Sequence, residues 1–228
     1  MSQISFTWSG FRAGFAAAAP FTVGVLPYGV AFGVLAGPAG LDPAAATAMS
    51  ALVYSGSAQF VALQVWADPV PLAAVLFAAF AMNARYVLYG AMLRPHLAGL
   101  SPVRAYGSLF FLADANWALL VRDGQAGGAD GAFLLGSGLA MYLSWTAGTL
   151  LGVVVGPVVA APETFGLDFL LIAFFVTILV GLWRGRRDVA PLVTAVAAAL
   201  AVDWLTQSSW GVLAGGVLGS LVGAFRPR

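Results

Sequence analysis

A chain of 228 residues with 61% hydrophobic and 8% charged residues and a mean hydropathy of +0.93 lies outside the composition of soluble domains, where roughly a quarter of residues are charged. Ten cationic residues, all Arg, against nine acids leave a net charge of +1, which removes the electrostatic basis for nucleic-acid binding. With no Cys, disulfides and thiolate metal sites are excluded, and the sequence reads as an all-α, polytopic integral membrane protein.

Residues 1–11 carry Phe6, Trp8 and Phe11 ahead of Arg12, an aromatic lead-in suited to the headgroup level. The alanines after Arg12 resemble a signal-peptide cleavage region, but the apolar run continues through Gly37, so a first spanning helix is expected instead. Its uncharged stretch, Ala13 to Leu41, exceeds the ~20 residues that cross a bilayer. Pro20 and Pro27 each remove a backbone donor, so the helix is expected to be broken there. The carbonyls freed around Pro20, Gly24 and Pro27 are then candidates for binding a polar solute. Gly29, Gly33 and Gly37 follow at four-residue spacing as a packing ridge.

After the turn Gly37 to Pro43, a second element over Ala44 to Trp66 is uncharged but holds Ser50, Tyr54, Ser55, Ser57, Gln59 and Gln64. Ser55 and Gln59 are four apart and share a face, fit for a solute or for helix-to-helix hydrogen bonds. A third element, Leu72 to Leu93, carries Asn83 and Arg85, both candidates for substrate contact, Arg85 either through a substrate carboxylate or as a structural charge. Arg85 lies nine residues or about 13 Å of helix from Arg94. A lone charge at that depth costs at least ~2.5 kcal/mol, so Arg85 needs a partner. The fourth element, Ala105 to Val121, places Asp114 and Asn116 at its middle, and an Arg85–Asp114 pair is expected. Asp114 and Asn116 are the candidates for ion coupling.

The hydrophilic link Arg122 to Gly131 suggests halves over 12–122 and 131–226, with an inverted relation between them considered. A fifth element (Ala132 to Val159), a sixth (Phe169 to Trp183), a seventh (Val189 to Leu205) and an eighth (Ser209 to Phe225) follow, with glycine ridges in the fifth and eighth. Seven or eight crossings are expected, with the Arg184 loop and the Arg226, Arg228 tail inside. Orientation conflicts, because three crossings would put the Arg94 to Arg104 loop and the Arg184 loop on opposite faces. The broken first element and the polar fourth are the candidates for re-entrant segments. Asp203 and His96 read as an interfacial and a solvated group. One His and one Glu (Glu163), far apart in loops, give no acid–base or metal constellation, so no enzyme, metal or cofactor is expected.

The strings Pro20 to Ala36 (PFTVGVLPYGVAFGVLA), Met49 to Phe60 (MSALVYSGSAQF) and Asn83 to Gly90 (NARYVLYG) resemble the AzlC family of branched-chain amino-acid permeases, and Gly166 to Val176 resembles its later signature. The resemblance implies a single transporter domain over 1–228 in the bacterial inner membrane. It further implies export of leucine, isoleucine, valine and analogues, with a small AzlD-type membrane subunit as partner. Two departures stand out: Ala113-Asp114-Ala115 where the family tends to have Thr-Asp-Glu, and Tyr86 where it commonly has His. No G-x-x-x-x-G-K-[ST] loop occurs, so the expected driving force is an ion gradient, with protons favoured, or a separate subunit. The competing reading is a channel or a structural subunit of a membrane complex.

Overall fold

The computed structural model describes residues 4–67, 69–125, 130–158, 169, 176, 179–180, 183, 185–206 and 210–225. The described residues form helices and turns, in two compact units over residues 1–170 and 171–228. In the first, α1 spans Trp8–Ala36, α2 Pro43–Leu52, α3 Gly56–Gln64, α4 Leu72–Asn83, α5 Arg85–Leu97, α6 Pro102–Phe110, α7 Asp114–Gln125 and α8 Ala132–Val155. In the second, α9 spans Val189–Thr206 and α10 Trp210–Ala224. The expected sixth element, the Gly166 to Val176 string, Glu163, Arg184 and the Arg226, Arg228 tail lie wholly or largely outside the described residues.

The expected break in the first helix is absent. α1 continues unbroken for 29 residues with Pro20 and Pro27 inside it. Each proline costs the helix one hydrogen bond while the adjoining turns keep theirs, and two hydroxyls bond other carbonyls of this stretch. Thr22 Oγ1 donates to the Ala19 carbonyl (2.7 Å), and Ser144 Oγ of α8 donates to that of Thr22 (2.7 Å).

α1 and α8 run parallel along a glycine seam. A methyl on Gly29 would stand 2.5 Å from the Trp145 carbonyl oxygen and 3.2 Å from Gly148 Cα, and Gly33 meets Gly152 in the same way one turn on. Where the two helices start, Ser5 and Asp130 form a parallel β-bridge. These helices open the two expected halves and run side by side in the same direction.

The interruptions fall in the second and fourth elements instead. Along α2, contacts retreat down α8: Ser50 meets Thr149, the Ala51 carbonyl meets Tyr142, and the Tyr54 ring meets Tyr142. The chain then reverses at Val53–Ser55, with Tyr54 at φ 43°, and α3 climbs back. Gly56 lies against the Trp145 ring, Gln59 bonds Ser50, and Phe60 meets Phe32 near the end of α1. α4 and α5 form one apolar stretch of 26 residues, Leu72–Leu97, whose junction residue Ala84 keeps right-handed helical backbone. It descends until Leu100 meets Gly131 at the start of α8. α6 enters from that same end, where the Arg104 guanidinium lies 5.1 Å from the Phe6 ring. It reaches the Tyr142 ring with Phe111 (5.1 Å) and turns back as α7 toward Asp130.

Two helical hairpins thus dip in from opposite ends and meet tip to tip, Tyr54 to Phe111, at 6.5 Å between ring centroids. Neither the second nor the fourth element runs as one continuous helix; each is a hairpin of two short helices. Among the described residues four helices are long and apolar enough to span a bilayer: Trp8–Ala36, Leu72–Leu97, Ala132–Val158 and Arg186–Leu205. The expected count of seven or eight crossings is not confirmed by these four, and the expected sixth element lies largely outside the described residues. In the second unit α9 and α10 pack closely, Gly215 against Ala195 and Ala199.

Candidate functional site

Each hairpin tip exposes helix ends that lipid cannot satisfy. At the first, Tyr142 donates to the Ala51 carbonyl (3.1 Å), covering one of the last carbonyls of α2. The N-cap residue of α3, Ser55, turns its hydroxyl away to Asn83 Oδ1 (2.6 Å), leaving the start of α3 without a side-chain cap. At the second tip Asn116 serves both sides. Its Oδ1 accepts from the Ala113 N–H (2.7 Å) and its Nδ2 donates to the Phe111 carbonyl (2.7 Å), half of a capping box. Asn116 is fully buried, and its amide is committed to the turn rather than aimed at a solute.

Arg85 and Asp114 pair, as their depth requires. Nε lies 2.9 Å from Oδ1 and Nη2 donates to Oδ2 at 3.1 Å, a two-point contact between α5 and the first residue of α7. Arg85 also donates from Nη1 to the Met82 carbonyl (2.9 Å) and from Nη2 to Ser57 Oγ (3.0 Å). Tyr89 donates its hydroxyl to Asp114 Oδ1 (2.9 Å). The side chains of Arg85 and Asp114 stay 27% and 41% exposed, so the pair is reachable. The starts of α3 and α7 both face this level, and their partial positive charge favours an anion there.

Of the residues expected from sequence, Ser55, Asn83, Arg85 and Asp114 come together. Gln59 lies one turn along α3 in a buried set. Ser50 Oγ accepts from Gln59 Nε2 (2.9 Å) and Trp145 Nε1 (3.2 Å), so its own proton goes to Thr149 Oγ1 (2.7 Å). Gln59 Oε1 is buried without a partner among the described residues. Pro20, Gly24 and Pro27 do not join the site: all three are exposed on α1, and nothing lies within 4 Å of a methyl built on Gly24. The site also holds Ser57, which the sequence offers only as one of the polar residues of the second element, and Tyr89, which it does not offer. Tyr89 follows Arg85 by four residues, one helical turn on the same face, and that spacing was the available signal. A cavity of about 350 Å³ lined by Gly33, Val34, Leu41, Ala46, Val153 and Pro157 sits at the far end of α1 and α8, and none of these residues belongs to the polar cluster.

A family model described as AzlC protein matches residues 20–159, more than half of the chain and the whole of both hairpins. The chain belongs to the AzlC family. Among similar AzlC-related proteins, the branched-chain amino acid transport protein AzlC of Bacillus subtilis is 27% identical over 188 residues, 82% of this chain and 73% of that protein. The inner membrane protein YgaZ of Escherichia coli is 28% identical over 89% of this chain and 84% of its own length. An uncharacterized membrane protein of Archaeoglobus fulgidus is 29% identical over 93% of each chain. No solved structure matches. The AzlC match therefore ties the sequence strings Pro20 to Ala36, Met49 to Phe60 and Asn83 to Gly90 to one membrane-protein family, and the last two strings carry the first hairpin tip and Arg85.

Proposed function

We propose that this protein is a secondary transporter that exports branched-chain amino acids across the inner (plasma) membrane as a multi-pass protein, coupled to protons and working with a small AzlD-type membrane subunit. The observation that carries the reading is the Arg85–Asp114 pair, reachable and set where two hairpin tips meet from opposite ends, in a family with a Bacillus subtilis member named for branched-chain amino acid transport. Opposed hairpins suit alternating access, since each closes the path from one end only. Arg12, Arg94 and Arg104 lie toward one end of the first unit and Asp42 toward the other, which supports a cytoplasmic N-terminus. Re-entry of α6 and α7 also removes one of the three crossings that had set the basic loops on opposite faces.

Labelled leucine, isoleucine or valine, loaded into cells as peptides, tests the reading. Efflux should rise when the protein is produced together with the small subunit, and collapse with a protonophore. Efflux no faster than in cells lacking both proteins overturns it.

A further inference from the structure

Each charge of the central pair has partners besides the other. Besides Asp114, the guanidinium contacts the Met82 carbonyl (2.9 Å), Ser57 Oγ (3.0 Å) and the Tyr86 ring (5.1 Å from its centroid). The carboxylate keeps the Tyr89 hydroxyl (2.9 Å), and Tyr89 is itself braced by stacking on Trp117 (4.5 Å between centroids, 14° between planes). Asp114 also sits in the first turn of α7, where the helix dipole favours an anion. An ion pair that only holds helices together needs no such separate seats. When this one parts, each charge keeps neutral hydrogen-bond partners but lacks a counter-charge.

We propose that the Arg85–Asp114 pair is the closed form of a head-group clamp that opens to admit a zwitterion, carboxylate to Arg85 and ammonium to Asp114. The inference rests on the transport reading above and adds to it the recognition rule: one anionic and one cationic group on the same small molecule. A zwitterion replaces both partners that the pair gives up, and the charge balance of the site is unchanged. A singly charged solute replaces one and leaves the opposite charge unpaired at bilayer depth. The uncapped start of α3 beside Ser57 adds N–H donors on the side where the carboxylate arrives. Asp114, an ion-coupling candidate in the sequence, becomes part of the substrate site.

Calorimetric binding to the purified protein in lipid nanodiscs tests the clamp with three probes of one size: leucine, leucinamide (ammonium only) and isocaproate (carboxylate only). The intact protein should bind leucine and hold each singly charged probe about 100-fold more weakly, as expected when one charge of a desolvated pair is left alone. Asp114→Asn should gain isocaproate by tenfold or more, since Arg85 is then free, and Arg85→Gln should gain leucinamide likewise. Leucine and either analogue bound within tenfold of each other overturns the clamp and leaves the transport reading standing. Folded variants that gain neither analogue overturn it as well. Binding of none of the three probes overturns both readings. The intact-protein panel decides even if a variant fails to fold.

Discussion

A single carboxylate at one end of the first unit joins two helices. Asp130 accepts from the Thr7 N–H (3.2 Å), the hydroxyls of Thr7 and Ser5, and the Ala132 N–H (2.9 Å), so it caps the starts of α1 and α8 at once. Burial works against its charge, but the hydrogen bonds from Thr7, Ala132 and Ser5 outweigh it and hold the carboxyl below the usual Asp value. A depressed value stabilises the fold above the unfolded-state pKa of about 4, and that stability is lost as pH falls through the lower folded value. Asp130→Ala should therefore lower stability by about 1–2 kcal/mol, the scale of a lost helix cap. In thermal unfolding the gap from the native protein should be flat from neutral pH down to about 5 and should close below about 4. A gap that stays open in acid would show that the side chain acts by packing alone. Sequence placed Asp130 within a hydrophilic link. Its position two residues before α8 hints at capping that helix, but nothing local reveals the start of α1 as its second client, 123 residues away.

At the level of elements, the prolines misled and the polar residues did not. Pro20 and Pro27 sit in an unbroken helix, because each removes one bond and the neighbouring turns stay intact. The real reversals fall at Val53–Ser55 and Phe111–Ala113, next to Ser55, Asp114 and Asn116, residues that sequence had marked for their chemistry. Reversal there depends on Tyr142 reaching Ala51 across 91 residues and on the Tyr54–Phe111 contact, which no local pattern contains. Depth alone made the Arg85–Asp114 pair legible, since each charge had one available partner. The glycine ridges were legible as packing faces, though not which ridge meets which. The seam makes a sharp comparison. Gly152→Ala would drive a methyl into the Val30 carbonyl and should cost about 1–3 kcal/mol. Gly24→Ala meets nothing and should be neutral or stabilise by up to about 1 kcal/mol. Equal melting shifts for the two in detergent would remove close helix contact as the reason for the seam.

For the first unit as a whole, the hairpins decide which loops share a face. A chain in which every polar element crosses would put Gly40 and Ala67, on either side of the second element, on opposite sides of the membrane. The re-entrant arrangement puts them on the same side and puts Ser5, Gly99 and Gly131 together on the other. Because the chain has no Cys, single cysteines at these positions can be probed directly with an impermeant thiol reagent in oriented vesicles. Labelling of Gly40→Cys and Ala67→Cys from one side, with Ser5→Cys protected, is the expected pattern. Opposite labelling of Gly40→Cys and Ala67→Cys would require α2 and α3 to form a crossing. Such alternation of faces was beyond reach of composition, since a hairpin of two short apolar helices has the same residue content as one long helix.

The parallel pairing of α1 with α8 has a consequence for how the protein is made. Thr22 and its partner Ser144 are 122 residues apart, so at ~5–20 residues per second the first helix waits roughly 6–25 s after emerging from the ribosome before its mate exists. During that interval its bare glycine face lies open to whatever neighbour the translocation machinery or the surrounding lipid supplies. Assembly of the unit is closed by the helix that is synthesised late, and a ribosome stalled before Ala132 would leave a first helix with no lasting companion.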